Sequence, residues 1–327
     1  MRTIIGIDVS KRKIDCAWLR DINTGKVKTK VFQNNAAGFQ SLIQWVENNT
    51  QQSISATCFV MEATGVYHEG LAYTLHGADA AVCVVNPSYI HDYAKSLGVR
   101  SKTDKKDSVL IARFGATHDP VFWQPEPPEI RHLKALIARY EAMEKDLQRE
   151  MNRLEKAEIA QVTVEVIRSI NTVINELTKE KNRIRDMIDD HIDQHPSLKQ
   201  DAILLKSIPG VGPVISQRMI ALIRSRNFVS ARQCAAFIGL NPVIRESGTS
   251  VRGRSRLSKI GDAKIRAKLY MAAVVAIQHN PDIKQQYERL LKNGKTKMVA
   301  LGAAMRKLVQ ICFGVLKHQT PYQPQGI

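Results

Sequence analysis

Cysteine is scarce in this 327-residue chain and is not arranged in pairs. No CxxC motif occurs, and the number of cysteines is odd: Cys16, Cys58, Cys83, Cys234 and Cys312. This distribution argues against a disulfide framework or a zinc ribbon, and it favours a reducing, cytoplasmic environment.

Long apolar runs are missing as well. In the N-terminal sequence MRTIIGIDVSKRKID the apolar run is broken at Asp8, so no signal peptide is predicted. No stretch approaches the roughly 20 apolar residues of a membrane span, and we expect no membrane partner. The chain also lacks a GxxxxGK[ST] loop, which is consistent with chemistry that needs no ATP.

Positive charge is what the chain has in excess. Lys and Arg number 48 against 31 Asp and Glu, which gives a net charge of +17. Such an excess costs self-repulsion unless a polyanion neutralises it, so nucleic acid is the first partner to consider. The alternative is that the positive charge serves only to keep the protein soluble.

The first third of the chain has the pattern of a mixed sheet flanked by helices. Residues 3–9, 13–20 and 26–32 are apolar or β-branched and predict a meander of three strands. Helical spacing follows over 37–49, and then come a strand, a helix and a strand over 56–61, 65–77 and 80–85. Three strands followed by alternating helices and strands indicate an α/β domain.

After three prolines the pattern changes to heptads. Apolar residues recur every three or four positions over 130–154 and again over 166–187, with Glu144 and Glu180 at two of the seam positions. Two such stretches predict an antiparallel coiled-coil hairpin or an intermolecular coiled coil, and a pair of ordinary core helices is the alternative. This segment is interpreted as a spacer or assembly device.

Pro196 opens a last region that is mostly helical. Four stretches have helical spacing: 214–223, 231–238, 262–278 and 296–316. The chain is therefore predicted to have an α/β domain, a coiled-coil segment and a mostly helical C-terminal domain, over residues 1–125, 126–195 and 196–327.

Four carboxylates in three distant segments of the first domain are candidates for a metal site. Asp8 lies at the end of the first strand, Glu62 directly follows the fourth, and Asp104 and Asp107 share one face if they lie on a helix. Crowded carboxylates raise one another's pKa and oppose folding unless a cation neutralises them, and oxygen ligands suit Mg²⁺ or Mn²⁺. Taken singly, each is also a common turn or cap residue, and Asp104 could simply cap the next helix.

Two glycines in the C-terminal region point to a helix–hairpin–helix. In SIPGVGPVISQRMIALI, Gly210 and Gly212 flank a tight turn between two helical stretches. Glycine lets a backbone approach a phosphate closely, and the N-terminus of the second helix offers free N–H groups there. An ordinary helical turn is the alternative.

The segment 239–268 is basic and contains a candidate nucleophile. Eight Lys and Arg face two acids, a local charge of +6, and the positions expected to hold phosphate are Arg245, Arg252, Arg254, Arg256 and Lys259. Ser247 is followed by Gly248, so it combines flexibility with positive charge nearby, as attack on DNA requires. On chemistry alone Ser250, Ser255 and Ser258 compete with it, and a solvated basic loop remains possible.

The whole chain resembles the DEDD-type insertion-sequence transposases, which are related to the Piv/MooV DNA invertases and include bridge-RNA-guided recombinases. The resemblance is carried by GIDVSKRKID, MEATGVYH, NPSYIHDYAKSLGVRSKTDKKDS, IPGVGPVIS and GLNPVIRESGTSVRGRSRLSKIG, in the expected order. The spacing of the acids matches the ribonuclease-H-like layout of the RuvC resolvases.

The resemblance implies a site and partners that spacing alone does not give. It implies that Asp8, Glu62, Asp104 and Asp107 bind metal and that Ser247 forms a covalent phosphoserine with DNA. It implies a RuvC-like domain, assembly through the coiled coil into a dimer or dimer of dimers, and an acidic site that meets the serine of another protomer. It also implies donor DNA, target DNA and a guide RNA as partners, in the prokaryotic cytoplasm at the nucleoid. A junction-resolving nuclease that uses water, and a non-catalytic nucleic-acid-binding protein, are the rival hypotheses.

Overall fold

The structure, a computed structural model, describes residues 3–98, 103–243, 246–247, 251–252 and 256–324. The chain divides into two units, Met1–Pro125 and Glu126–Ile327, which are described in turn. The separate boundary expected near residue 195 stays a prediction.

The first unit is built on a mixed five-stranded sheet. Its strands are β1 (Thr3–Val9), β2 (Lys13–Asp21), β3 (Lys26–Gln33), β4 (Thr57–Glu62) and β5 (Ala81–Val85). They are ordered β3-β2-β1-β4-β5, with β1, β2 and β3 antiparallel and β4 and β5 parallel to β1. The predicted meander and mixed sheet are confirmed, and this arrangement fits a ribonuclease-H-like fold.

Four helices accompany the sheet. They are α1 (Ala36–Thr50), α2 (Glu69–Gly77), α3 (Pro87–Ser96) and α4 (Asp104–His118). Helix α2 begins four residues later than the sequence predicted, because Gly65 has a positive φ of 53° and residues 65–68 form a turn. Helix α3 was not predicted. Asn86 caps it, accepting a hydrogen bond from Ser88 N at 3.0 Å, and Pro87 occupies its first turn.

Side chains of β1 alternate between the two faces of the sheet. Ile5, Ile7 and Val9 are buried in a core that also contains residues of α1 and α2. Residues at the even positions, Gly6 among them, face α4. Burying each large aliphatic side chain contributes about 1.5–3 kcal/mol, so this alternation fixes the register of the strand. It also places Asp8 on the α4 face.

The second unit is helical apart from two short ladders. Its helices are α5 (Pro128–Ile159), α6 (Val164–Gln194), α7 (Pro196–Lys206), α8 (Pro213–Arg224), α9 (Ala231–Phe237), α10 (Ala263–His279), α11 (Pro281–Lys292) and α12 (Lys297–His318). Proline, whose fixed φ suits a first turn, starts α5, α7, α8 and α11. The four helices predicted for the C-terminal region are confirmed as α8, α9, α10 and α12, and α11 was missed.

Helices α5 and α6 form an antiparallel hairpin. The start of α5 meets the end of α6, where the backbone oxygen of Glu129 lies 2.8 Å from His191 Nε2. Near this end, Leu133 and Ile188 are buried in the core that α7 to α12 share. Towards the far end, seam positions such as Met151 and Val166 are exposed. The hairpin therefore begins as a pair of core helices and continues as two helices with apolar side chains in solvent.

Within the part of the chain that the structure describes, one helix is long and apolar enough to cross a membrane by length and composition. It is α12, whose 22 residues include a window that is 61% buried inside the unit. Arg306 and Lys307 interrupt its apolar residues, so the helix does not contain the continuous apolar run that a membrane span was expected to need. A buried core helix passes the same test, and Leu301, Leu308 and Cys312 of α12 are core residues.

The basic segment contains the two ladders. Strand β6 (Pro242–Val243) pairs with β9 (Arg256–Leu257), and β7 (Glu246–Ser247) pairs with β8 (Val251–Arg252), all antiparallel. The second pair is nested inside the first. The described residues of this basic segment therefore include paired strands, which the sequence did not predict.

Candidate functional site

Helix α4 lies directly on the sheet at a glycine of β1. A Cβ at position 6 would overlap the backbone of Ser108 and Ala112, so only glycine permits this contact. Further along α4, Gly115 meets Val60 and Ile4 of the sheet in the same way. The close approach carries the first turn of α4 over the end of β1, where Asp8 lies.

The first turn of α4 presents two of the predicted acids. Thr103 is the N-cap, because its hydroxyl accepts a hydrogen bond from Lys106 N at 3.3 Å. The alternative that Asp104 is the cap is therefore wrong. Asp104 and Asp107 are three residues apart in the first turn, where the helix dipole favours negative charge.

Three of the four predicted acids converge. One carboxylate oxygen of each of Asp8, Asp104 and Asp107 lies within 4.8 Å of the others. Glu62 ends β4, which runs parallel to β1 with Met61 beside Ile7, and its charge acts on Asp8. It is outside the closest group. The three converging side chains are partly buried or exposed, so the cluster faces solvent.

The electrostatics of Asp8 reflect this crowding. Burial, followed by the charges of Asp107, Asp104, Glu62 and Asp15, raises the pKa of Asp8 from 3.8 to about 6. Ionising a carboxyl group that is buried among other acids costs free energy. A cation placed among the acids would favour the ionised form and lower the pKa of Asp8 again. The cluster therefore fits a divalent cation with oxygen ligands.

Two residues that sequence reasoning missed belong to the same cluster. Asp15 is buried, and the hairpin register places it opposite Asp8. Lys13 Nζ lies 2.7 Å from Asp104 Oδ2 and 3.1 Å from Asp15 Oδ2, so an ammonium group already neutralises part of the site. The available signal was the meander itself, because pairing Val9 with Ile14 sets Asp15 beside Asp8.

A cavity of the first unit lies apart from the acidic cluster. It has a volume of about 660 Å³, and α3 and the end of α4 line it with Tyr89, Tyr93 and His118 among others. None of the four acids lines it.

The two glycines of the C-terminal turn differ in their surroundings. Gly210 has a φ of +97°, and a Cβ there would meet Ala276 of α10, so the glycine is required by packing inside the unit. Gly212 is the N-cap of α8 and has open space around its Cα. A phosphate contact at this turn stays a prediction, and Gly212 is the better placed of the two.

The serine segment is described in part. Ser247 lies in β7 opposite Val251, and Arg252 lies in β8, but both side chains fall outside the described part of the chain. Arg245 and Arg254 lie outside it altogether, as do the competitors Ser250 and Ser255. The side chain of Arg256 is exposed, as is that of Lys259, which has a positive φ of 56°. The Ser258 hydroxyl accepts a hydrogen bond from Ile260 N at 3.3 Å, a local turn contact.

A ribonuclease-H-like sheet with an acidic cluster at the end of its first strand defines a class of metal-dependent enzymes that act on nucleic acid. Comparison with known proteins narrows this class. A family model described as a transposase matches residues 5–157, and a model of the IS116/IS110/IS902 transposase family matches residues 202–288.

Whole-chain relatives support the same assignment. The pilin gene-inverting proteins of Moraxella bovis and Moraxella lacunata are each 34% identical over 325 residues, which cover 98% of both chains. A protein of insertion element IS110 from Streptomyces coelicolor is 27% identical over 128 residues, 38% of this chain and 31% of its own. The chain belongs to the IS116/IS110/IS902 family of DEDD-type transposases and is a DNA recombinase.

Proposed function

We propose that the chain is the recombinase of a mobile DNA element, and that it cuts and rejoins DNA through Ser247 with the help of a divalent cation at its acidic cluster. The observation that supports this most strongly is the convergence of Asp8, Asp104 and Asp107 within 4.8 Å, in a chain of a transposase family. The three acids come from segments about a hundred residues apart, which an incidental surface cluster seldom brings together.

The acidic cluster is proposed to bind Mg²⁺, or Mn²⁺, through Asp8, Asp104 and Asp107, with Glu62 beside them. Such an ion supplies Lewis-acid charge at a phosphate. In the absence of the ion Lys13 occupies part of the site, and it has to release Asp104 for that carboxylate to act as a ligand. Helix α4, held against β1 at Gly6, keeps the acids in place.

The serine chemistry conserves phosphoester bonds. Ser247 Oγ loses its proton and forms a bond to phosphorus, while the bond from phosphorus to the 3′-oxygen breaks and that oxygen takes up a proton. The freed 3′-hydroxyl of one strand then attacks a phosphoserine of the partner strand and restores the serine hydroxyl. One phosphoester bond forms for each that breaks, so no nucleoside triphosphate is needed.

The partners follow from charge and from the family. A net charge of +17 suits donor and target DNA and a guide RNA. The far end of the α5–α6 hairpin, where Ile159 is 77% and Val164 is 64% exposed, suits assembly into a dimer or dimer of dimers through coiled-coil contacts. Gly212 and the basic segment are proposed to hold backbone phosphates. A cytoplasmic, nucleoid-associated location fits these partners.

Covalent adducts test the proposal. The wild-type chain and two variants, Ser247→Ala and Ser258→Ala, are incubated with Mg²⁺ and DNA that carries the ends of the element, and the products are separated on a denaturing gel. We expect the first variant to bind DNA without forming adducts. The second removes a hydroxyl engaged in a local turn, and we expect it to form adducts as the wild type does.

Other outcomes of these experiments would support a different nucleophile or one of the two rival hypotheses. Adducts that persist in Ser247→Ala assign the nucleophile to another residue. Protein-free cleavage products that do not depend on Ser247 indicate a junction-resolving nuclease that uses water. Recombination that is unchanged by Asp8→Asn and Asp104→Asn indicates that the acidic cluster has no catalytic role.

A further inference from the structure

A cavity in the helical unit, separate from the one described above, has the size and the lining of a ligand-binding site. It has a volume of about 430 Å³ and lies between α5, α8 and the start of α10. Its wall is largely apolar and includes Leu222, Ile265 and the ring of Phe237, which is 41% exposed. This volume is within the range of small-molecule pockets, and it has room for a single nucleotide but not for a duplex.

Charged groups of both signs surround this apolar wall, with cations in excess: Lys134, Arg218, Arg226 and Lys264 against Glu141 and Asp262. The guanidinium of Arg226 lies 4.3 Å over the ring of Phe237, and no ion-pair partner of Arg226 is found in the described ranges. Stacked in this way, Arg226 leaves the N–H groups at its edge free to donate. Lys264 lies at the rim, and its ammonium is 2.8 Å from Glu141. Planar rings and guanidinium groups are the surfaces on which nucleic-acid bases stack.

The inner end of the cavity holds a buried donor. Arg218 is only 6% exposed and pairs with Glu141 through one terminal nitrogen. Its Nε is buried without a hydrogen-bond acceptor within the part of the chain that the structure describes. An unsatisfied buried donor is costly, and this cost is carried by a residue that lines the cavity.

The cavity also adjoins the base of the serine segment. Gly239 lies two residues after Phe237. A Cβ at Gly239 would overlap the backbone of Ile260, so the two ends of the serine segment are in backbone contact. The amide of Lys259 donates a hydrogen bond to Gly239 O at 3.1 Å and stabilises this contact between the two ends of the segment. The base of the serine segment therefore lies within a few residues of Phe237 and Lys264, which line the cavity.

We propose that this cavity binds one unpaired nucleotide of the nucleic-acid substrate, with the base against Phe237 and the adjoining phosphate at Arg226 and Lys264. The proposal rests on the proposed function only in that nucleic acid is the substrate. The shared chemistry of DNA and RNA, a base and a phosphodiester, is what the cavity recognises.

Binding of a short single strand tests the proposal. Fluorescein-labelled dT5 is titrated with the whole chain and followed by anisotropy, for the wild type, Phe237→Leu, Arg226→Gln and Arg232→Gln. Phe237→Leu keeps an apolar side chain but removes the stacking surface, and a loss of about tenfold in affinity is expected. Arg232 is exposed on α9 and does not line the cavity, so its variant is the control for loss of one charge.

The salt dependence of the affinity distinguishes a direct phosphate contact from a general effect of net charge. Arg226→Gln should lower the slope of log affinity against log salt by about 0.7, the value for one phosphate contact on a single strand. Arg232→Gln should leave the slope as in the wild type. Repeating the titration with rU5 and with a blunt duplex identifies the source: the strand that loses affinity in Phe237→Leu is the one the cavity holds, and the duplex should be unaffected.

Photocrosslinking gives a second readout that does not depend on the variants folding. 5-Iodouracil in the same pentamer should crosslink to peptides that contain Phe237 or Arg226. Unchanged affinity and slope in both cavity variants, with crosslinks elsewhere, would overturn the proposal even if Ser247 adducts form. Tighter single-strand binding by the wild type than by the cavity variants, without any Ser247 adduct, would uphold it while the proposed function fails.

Discussion

Replacing Asp8 by Asn should make the metal-free protein more stable at neutral pH. The pKa of Asp8 is about 6 in the folded chain against 3.8 for the ordinary group, mainly because of burial and the charge of Asp107. Between these two values the folded state binds more protons than the unfolded state, so stability falls as pH rises. Below pH 4 the carboxyl group is protonated in both states, and Asn then mimics it.

The size of the effect follows from the shift. The two pKa values differ by about 2, which at 1.36 kcal/mol for each pKa unit corresponds to a free energy of about 3 kcal/mol. This is an upper limit to the destabilisation by the charged form. Asp8 is only partly buried, so solvent screening reduces the expected gain at pH 7 to about 1–2 kcal/mol. The gain should shrink to nothing near pH 4 and reach its full value above pH 6.

Urea unfolding in EDTA, followed by tryptophan fluorescence, measures this difference. All three tryptophans, Trp18, Trp45 and Trp123, lie in the first unit, so the signal reports that unit alone. Asp21→Asn is the control of opposite sign, because hydrogen bonds from Thr24 and the Asn23 amide lower the pKa of Asp21 and make its charged form stabilising above pH 4. A stability difference between wild type and Asp8→Asn that does not vary with pH would refute the reasoning, as would a less stable variant at pH 7.

Three further predictions concern the cluster and the core. Lys13→Met removes an exposed competitor for the acids, so the affinity for Mn²⁺ measured by calorimetry should rise about threefold, and a weaker affinity would make Lys13 a supporting group instead. Gly6→Ala should destabilise the first unit by about 1–3 kcal/mol and weaken Mn²⁺ binding as α4 is displaced, whereas Gly77→Ala, with open space around it, should be neutral or stabilising in the same urea assay. Arg224→Met leaves the buried carboxylate of Asp201 with a hydrogen bond from Gln319 Nε2 but no charged partner, and should cost about 3 kcal/mol in calorimetric unfolding. Arg149→Met removes a surface pair and should cost at most about 1 kcal/mol.

The elements that the sequence predicts well are those with a local signal. Strand β1 and its neighbours carry runs of apolar and β-branched residues, and α1 and α12 carry helical periodicity, so all of these are found where expected. Helices α3 and α11 were missed because their apolar residues are few: each has a single buried side chain, Ile90 and Ile283 respectively. Both begin at the proline of an Asn-Pro pair, with the asparagine as N-cap, and this local start signal was present in the sequence.

The candidate site was predictable only in part, because it depends on contacts between distant segments. The four acids were identified from their positions after strands and at a helix start. Asp15 was missed because its role depends on the strand register, and Lys13 because an exposed lysine carries no signal of its partners. The closeness of α4 to β1 depends on Gly6, whose significance is visible only when the helix is in place.

The arrangement of charges explains how an acidic cluster persists in a folded chain before a cation arrives. Each added carboxylate raises the cost of ionising Asp8, and an uncompensated group of this kind would favour unfolding of the first unit. Lys13 lies between Asp104 and Asp15 and offsets part of this cost, yet it is exposed and tethered only by its own side chain, so it can leave. A permanently buried counterion would give a more stable protein, but it would close the site to a metal ion. The exposed ammonium group of Lys13 therefore stabilises the folded first unit when no cation is bound, and it leaves the acids available to bind one.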